Sequence, residues 1–463
     1  MLKAVEILFS LLYNIGMKLD LENCMGRRVC VAFSGGGDSL ALFHALFSAG
    51  VSLSAVNVEH GIRGESSRAD SAFVRETCAR YGVPLYSYAE DVPALAKQWG
   101  MGLEEAARKA RYLCFLRVLR EDKADVIATA HHALDNAESV LFHLFRGCSL
   151  TGAGGIRSFL PAQELARRLT GEKMPADKGI VRPLLGVSKA EIAQYLRDHS
   201  LTPCTDESNA DTSYTRNYLR HCVLAPAKQR FPQLEKSLYS FSRTAREEDE
   251  FLFSLAERAF RAGEVCTFPA DLEKPLLMRC TVLAMRQFGV EKDYTLANLE
   301  DVYALSRGES GKSVRLPRGL YAAKEFDTVS VYPPRKEEKL LLPFAEGETS
   351  FGEYTIFVGR GKRQNALYFD ADKLPQNCVF RTRKEGDVFQ KFGASPRKLK
   401  DFFSDKKIPV RVRGRLPLLA CGGEIFVVCG AEISEKIKTD PDSKNIFYIL
   451  LKRKGETNSC IRT

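Results

Sequence analysis

Over its first 200 residues the chain alternates short apolar runs with longer amphipathic ones. Residues 29–33, 53–58, 84–88 and 126–130 are brief and largely apolar. Such runs, bounded by turn residues, predict strands buried on both faces. Between them lie patterns of helical period, the clearest being "LEEAARKARYLCFLRVLRE" at 103–121. Strands alternating with helices predict an α/β fold, with a parallel Rossmann-like sheet and helices on its faces. Ser188 and Glu191 have the spacing of a capping box, so "SKAEIAQYLRDH" opens a further helix.

From about residue 230 the pattern changes. "SLYSFSRTAREEDEFLFSLAERAF" and "DLEKPLLMRCTVLAMRQF" are long and of helical period. They predict a helical domain over 230–335, after a first domain over 1–229. "YPPRKEEKLLLP", at 332–343, mixes proline with charge and reads as a linker. Strand-like runs such as "YTIFVG" and "EIFVVCG" then predict a small α+β domain over 344–463. Near the start, Ile7, Leu8, Leu11, Leu12 and Ile15 sit at helical spacing. With Glu6 among them and no small-x-small cleavage site, a docked amphipathic helix is expected rather than a signal peptide. No apolar run reaches the roughly 18 residues of a membrane span.

Composition adds two things. The net charge is +10, and residues 381–415 hold twelve Lys/Arg against four Asp/Glu, so most of the imbalance sits in one late segment. A positive excess is often only a solvated surface, so where it sits matters more than its size. The thirteen cysteines form no CxxC, and the closest pair is Cys24 and Cys30. They read as the reduced thiols of a cytoplasmic protein, not as a disulfide framework or a zinc site. Nothing in the sequence separates a monomer from a homodimer.

The chemistry begins at "VCVAFSGGGDSLAL", residues 29–42. Ser34, Gly35, Gly36, Gly37, Asp38 and Ser39 fall at the carboxyl end of the first strand, where parallel sheets bind ligands. Glycines let the backbone approach an anion, and the following helix offers unpaired N–H groups. Asp38 would repel a bare phosphate, so it makes sense with a magnesium ion between them. The plainer alternative is a glycine turn with Asp38 as helix cap. There is no lysine, so this is not a Walker loop; "RGESGKSVRLP" at 307–317 has the wrong glycine spacing and reads as a turn.

Four further stretches carry polar groups: "VNVEHGIRGESSRAD" (56–70), "LEEAARKARY" (103–112), "TAHHALDNAESVLFHLFRG" (129–147) and "DESNADTSYTRNYLR" (206–220). Arg108 and Arg111 are one turn apart on a helix face. His131, His132, Asp135 and Glu138 follow the fourth strand. Each has a structural alternative: a solvated arginine face, a satisfied strand end, acids favoured by a helix dipole, a polar loop ending in a cap.

Ser-Gly-Gly-x-Asp-Ser after a first strand resembles the PP-loop of N-type ATP pyrophosphatases. Taken in order, the stretches over 25–225 resemble the tRNA(Ile)-lysidine synthetase family. "FRTRKEGDVFQKFGASPRKLKDFFSDKKIPVRVRGRLPLL" (380–419) resembles that family's C-terminal tRNA-binding domain. The resemblance implies a ligase that adenylates the wobble cytidine of a CAU-anticodon tRNA(Ile) and joins L-lysine to C2. It implies that Ser34 to Ser39 bind ATP, with Asp38 near magnesium. Arg108 and Arg111 would neutralise the phosphates or the activated base. Asp135 and Glu138 would take lysine beside His131 and His132, Arg216 and Asn217 would order around tRNA or intermediate, and Lys398 and Lys400 would grip tRNA. The chain departs from the family at Leu134, which replaces the first of two acids, and at Asn136 and Ser139, which replace Gln and Thr.

Three rivals differ in chemistry. A PP-loop tRNA thiolase normally needs paired cysteines or an iron–sulfur cluster, and CxxC is absent. An amide synthetase of the GMP synthetase kind would need an ammonia source, and no glutaminase domain is visible. A catalytically dead tRNA-binding protein would not need the intact loop or the acids.

Overall fold

The computed structural model describes residues 17–61, 65–204, 215–291, 293–334 and 339–454, with only the backbone of 65–68. The expected N-terminal helix, most of the polar stretch 206–220 and the middle of the 332–343 linker lie outside the described residues. Contacts divide the chain into two compact units, 1–251 and 252–463.

In the first unit the strands are β1 (Val29–Ala32), β2 (Leu53–Glu59), β3 (Leu85–Ala89), β4 (Val126–Ala128), β5 (Phe159–Pro161) and β6 (Gly179–Val181). Their order is β3-β2-β1-β4-β6-β5. All neighbours run parallel except β5, which pairs antiparallel with β6. β1 and β4 are fully apolar because helices cover both faces of the sheet. One layer packs around Val31, Phe33, Leu42 and Phe43, the other around Cys30, Phe115, Leu119 and Ile127.

The crossovers include α1 (Gly37–Ser48), α2 (Glu65–Arg80), α3 (Val92–Trp99) and α4 (Leu103–Arg120). After β4 come α5 (Ala133–Phe145), α6 (Ala162–Leu169) and α7 (Lys189–Asp198). The Ser188–Glu191 capping box is present at the start of α7. A helical turn at Thr215–Tyr218 then runs into a π-helical stretch, Leu219–Leu224. α8 (Leu234–Ala259) is 26 residues long, and the division between the units falls inside it.

β1 and β4 are sheet neighbours whose following connections leave in opposite directions along the strand order. That is the topological switch point, where a crevice opens beyond the strand ends. It brings the loop after β1 beside the loop after β4.

The second unit departs from the sequence expectation. The long helical patterns do form helices, such as α9 (Lys274–Gln287) and α10 (Leu296–Arg307). They pack on a four-stranded antiparallel sheet that periodicity did not announce: Cys266–Pro269, Thr328–Tyr332, Tyr321–Glu325 and Ser313–Arg315, in that spatial order. The segment over 230–335 is therefore α+β, not helical alone. "RGESGKSVRLP" forms the connection from α10 into Ser313–Arg315. The C-terminal part holds a seven-stranded and a four-stranded sheet around a core that includes Phe380, Phe389, Phe402 and Phe403.

Candidate active site

The glycine loop is shaped by its neighbours. Gly35 has φ +86°, and a Cβ there would meet Cys204 Sγ at 3.2 Å and Phe73 at 3.3 Å. Only glycine suits both the conformation and the space. The Ser34 backbone N–H donates to Ser39 Oγ (3.3 Å), and Ser39 Oγ donates to the Gly36 carbonyl (2.9 Å). The two hydroxyls are 3.1 Å apart. The N-cap of α1 is Gly36, so Asp38 lies in the first turn and is not the cap.

Asp38 is held from two sides. Its Oδ1 accepts from Lys189 Nζ, at the first residue of α7. Its Oδ2 lies 3.6 Å from His132 Nε2. Burial would raise the Asp38 carboxyl, but His132 and Lys189 outweigh it and bring it down to about 2. The group is therefore an anion at any working pH.

His132 is buried and caps α5, with Asp135 accepting its backbone N–H at 3.0 Å. His132 Nε2 is also 3.6 Å from Asp135 Oδ2. One imidazole thus stands between the acid of the glycine loop and the acid of α5. One turn on, Glu138 is 3 % exposed. Arg220, in the π-helical stretch, donates to Glu138 (2.5 Å) and Asp135 (3.3 Å). Burial raises the Glu138 carboxyl, and Arg220 offsets that only in part.

His131 turns the other way and shares a 2.9 Å hydrogen bond with Thr129, as adjacent strand-end residues should. Burial first, then the positive charges of Arg182, Arg108, Arg216 and Arg111, hold its pKa well below the usual range. Four arginines therefore converge on a neutral histidine. Arg108 stacks on Tyr112 at 5.3 Å. Arg111 donates to His60 Nε2 at 3.4 Å. Burial and Arg111 push His60 down to about 4.

The structure thus brings Asp38, His132, Asp135 and Glu138 into one chain of contacts, and sets Arg108, Arg111 and Arg216 around His131. Arg216 is exposed in the turn before the π-helical stretch, and Asn217 follows it. Lys189, Arg220, His60 and Arg182 belong to the site, and sequence reading did not single them out. Among the described residues no three His, Cys, Asp or Glu cluster as a metal cage, and no helix is long and apolar enough to cross a membrane. The twelve described cysteines are free thiols.

Two of the three departures from the family pattern, Asn136 and Leu134, have a visible place in the fold. Asn136 is fully buried; it donates to Ser242 Oγ (2.9 Å) and accepts from the Ile156 N–H (2.8 Å). Leu134 lines a small cavity with Leu224, Ala225 and Leu234 and the charged residues Lys189, Lys228 and Glu235.

Lys398 and Lys400 lie far along the chain, in the second unit, exposed and without an ion pair among the described residues. The basic segment around them is less free than its charge count suggests. Arg381 is buried on Asp387, Lys406 pairs with Glu432, Arg411 with Glu325 and Arg415 with Glu353.

Two family profiles match the chain: a PP-loop domain over residues 13–227 and a TilS substrate C-terminal domain over 378–450. The tRNA(Ile)-lysidine synthase of Caldanaerobacter subterraneus subsp. tengcongensis is 30 % identical, over 95 % of this chain and 97 % of its own. The chain belongs to the tRNA(Ile)-lysidine synthase family. The enzyme of that name from Clostridium tetani is 26 % identical over 97 % of this chain and 99 % of its own. A crystal structure of a TilS C-terminal domain aligns with 26 % of this chain and all of its own, at 19 % identity and a TM-score of 0.23. The lysidine synthase match spans both units.

Proposed function

We propose that this protein ligates L-lysine to C2 of the wobble cytidine of a tRNA(Ile) with a CAU anticodon, through an adenylated tRNA. The observation that supports it best is His132, whose Nε2 is 3.6 Å from both Asp38 and Asp135. It joins an anion-holding loop to an acid pair suited to a cationic nucleophile.

In the first step the cytidine O2 attacks the α-phosphorus of ATP, the bond to the β-phosphate breaks, and pyrophosphate leaves. Ser34 to Ser39 hold the phosphates through the loop N–H groups, the two hydroxyls and the start of α1. Asp38 is the residue that would hold magnesium. Its ionised carboxylate is a hard-oxygen donor, and magnesium needs only one or two carboxylates when phosphates supply the rest. Bound there, the ion would offset the charge of the leaving pyrophosphate. Lys189 must release Asp38 for that, and its ammonium is then free to face the same phosphates. Arg108, Arg111 and Arg216 neutralise charge on the adenylated base.

In the second step the lysine amine attacks C2, the C2–O bond breaks, and AMP leaves with that oxygen. An ammonium cannot attack, so a proton must first go to a base. Glu138 suits this because burial raises its carboxyl, and Asp135 beside it holds the cation. Lys398 and Lys400 position the tRNA body.

The test is to incubate the protein with ATP, L-lysine and tRNA(Ile)(CAU). AMP release with a lysine-sized mass gain on the anticodon nucleoside is expected. A sulfur-sized mass change, or AMP release without any gain, overturns the reading.

A further inference from the structure

Two thiols of the second unit face each other across a strand pair. Strand Val379–Arg381 runs antiparallel to strand Leu418–Cys421, with Val379 opposite Ala420, Phe380 opposite Leu419 and Arg381 opposite Leu418. The next step of that register sets Cys378 opposite Cys421. Opposite residues of an antiparallel pair point to the same face. Their Cα atoms lie about 4.5 or 5.5 Å apart, according to the hydrogen-bonding position. Both spacings fall inside the roughly 4.4–6.8 Å that a disulfide requires. The other described cysteines within strands have no such partner: Cys30 faces Ser54 and Ile127, and Cys266 faces Val331.

The two thiols differ in access. Cys378 is buried, and Cys421 only partly so. Burial, then the charge of Cys421 and a hydrogen bond with it, push the Cys378 thiol up to about 12. Cys378 is therefore a poor first nucleophile, and an oxidant meets Cys421 first. The same hydrogen bond means that the two sulfurs are already within reach of each other.

What lies between them gives the pair its interest. The 42 residues from Val379 to Ala420 include all twelve Lys/Arg of the basic segment 381–415. Cys421 also opens the turn into strand Glu424–Val428. In that turn the Gly422 carbonyl accepts from the buried Arg381 (2.8 Å), and the Gly423 carbonyl accepts from the Val388 N–H (3.0 Å). The basic segment thus leaves and returns through one neck, with a thiol on each side of it.

We propose that Cys378 and Cys421 are a redox modification site, closing a reversible disulfide that staples the neck of the basic segment, with a hydroperoxide or a low-molecular-weight disulfide as co-reactant. With hydrogen peroxide, the Cys421 thiolate attacks one oxygen, the O–O bond breaks, hydroxide leaves and Cys421 becomes a sulfenic acid. The Cys378 sulfur then attacks the Cys421 sulfur, the S–O bond breaks, and the leaving hydroxide takes the Cys378 proton as water. Counting the proton that Cys421 gave up, two thiols and one peroxide yield one disulfide and two waters. With a small disulfide, Cys421 first forms the mixed disulfide, and Cys378 displaces the second small thiol. A dithiol reductant reverses the bond by the same exchange. The reluctance of Cys378 to ionise slows the closing step, so the dithiol is the resting form.

The test uses the full chain, treated with hydrogen peroxide or oxidised glutathione, its remaining thiols blocked, and digested without reductant. A cross-linked peptide joining Cys378 to Cys421, lighter by two hydrogens than its reduced parts, should form over minutes to hours with either oxidant and vanish on adding dithiothreitol. The bond closes a loop of 42 residues in the unfolded chain. The transition that melts the second unit should therefore rise by about 5–10 °C in the oxidised protein. Cys421→Ser should abolish both the cross-link and the rise. Cys378→Ala should leave Cys421 trapped as a sulfenic acid, read by dimedone labelling, or as its glutathione adduct. In wild type, a lasting glutathione adduct on Cys421 with Cys378 still reduced overturns the site, as does a cross-link from either residue to any other cysteine. A bond that forms without raising the unfolding temperature overturns the staple. Should Cys378→Ala fail to fold, the wild-type peptide map and Cys421→Ser decide alone.

Discussion

Asp38 holds Lys189 and His132 at once, and through His132 it is linked to Asp135. Asp38→Ala should abolish tRNA-dependent ATP–pyrophosphate exchange; exchange near the wild-type rate would remove Asp38 from the first step. The pair contacts also have a pH signature. An ordinary Asp titrates near ~3.9, whereas Asp38 in the fold is brought down to about 2. The stability from its partners is therefore complete above ~4 and lost as pH falls from ~4 through about 2. Acid unfolding of Asp38→Asn should be shallower than wild type in that window, and identical curves would refute the pairing. Asp135→Asn keeps an oxygen for the His132 N–H, so the fold should survive. It should slow the second step more than the first, accumulate adenylated tRNA, and respond to added lysine; equal loss of both steps would place Asp135 with ATP instead. The sequence could name these acids because their spacing after β4 is local. It could not name Lys189 or Arg220, whose partners are 151 and 82 residues away. No local pattern encodes a contact made only when α7 and the π-helical stretch close over the strand ends.

At the scale of elements, α5 owes its place to Asn136 as much as to its apolar face. That side chain ties α5 to α8 through Ser242 and to the loop at Ile156, and it fills the space beside Gly155. Gly155 has φ +59°, and a Cβ there would lie 2.3 Å from Asn136 Oδ1. Asn136→Ala leaves the partly buried Ile156 N–H without its acceptor and takes away the amide donor to Ser242 Oγ, which keeps its own bond to the Tyr239 carbonyl; the loss is about 1–3 kcal/mol. At roughly 2–4 °C per kcal/mol for a unit of this size, thermal unfolding should fall by several degrees, while the KM for ATP barely moves. A shift below one degree would show that water replaces the amide fully. Elements were legible where the pattern was long or doubly buried: β1 to β4, α4 and α7 stand within a residue or two of where periodicity put them. The sheet of the second unit was not. Its strands are three to five residues long, and Thr267 pairs with Ser330 across 63 positions. So short a run cannot distinguish strand from helix by period. β5 and β6, at three residues each, were hidden for the same reason.

For the whole molecule, the division of labour is a proposal: chemistry in the first unit, tRNA grip in the basic part of the second. The charge count of residues 381–415 overstates that grip. Phe402 and Phe403 are core residues, and Arg381, Lys406, Arg411 and Arg415 have carboxylate partners inside the fold. Removing any of these would strip an internal pair, so a loss of binding would not distinguish phosphate contact from damage. Lys398 and Lys400 are different. They are exposed, neighbour one another at the start of the helix Leu399–Asp405, and form no ion pair among the described residues. Each phosphate they neutralise releases counterions, so affinity should depend steeply on salt, and such contacts position RNA without reading bases. The double change Lys398→Ala and Lys400→Ala should weaken tRNA(Ile) and elongator tRNA(Met) alike. It should also flatten the slope of log K against log salt by up to about two, for two lost phosphate contacts. Nucleotide affinity measured without tRNA should be unchanged, because the glycine loop proposed to hold ATP lies in the other unit. Filter binding between 50 and 200 mM salt (about the range over which such slopes are read) gives the answer. A slope equal to wild type would move the grip to other exposed cations of the segment, Arg383 and Lys384 first, since these too are open to solvent.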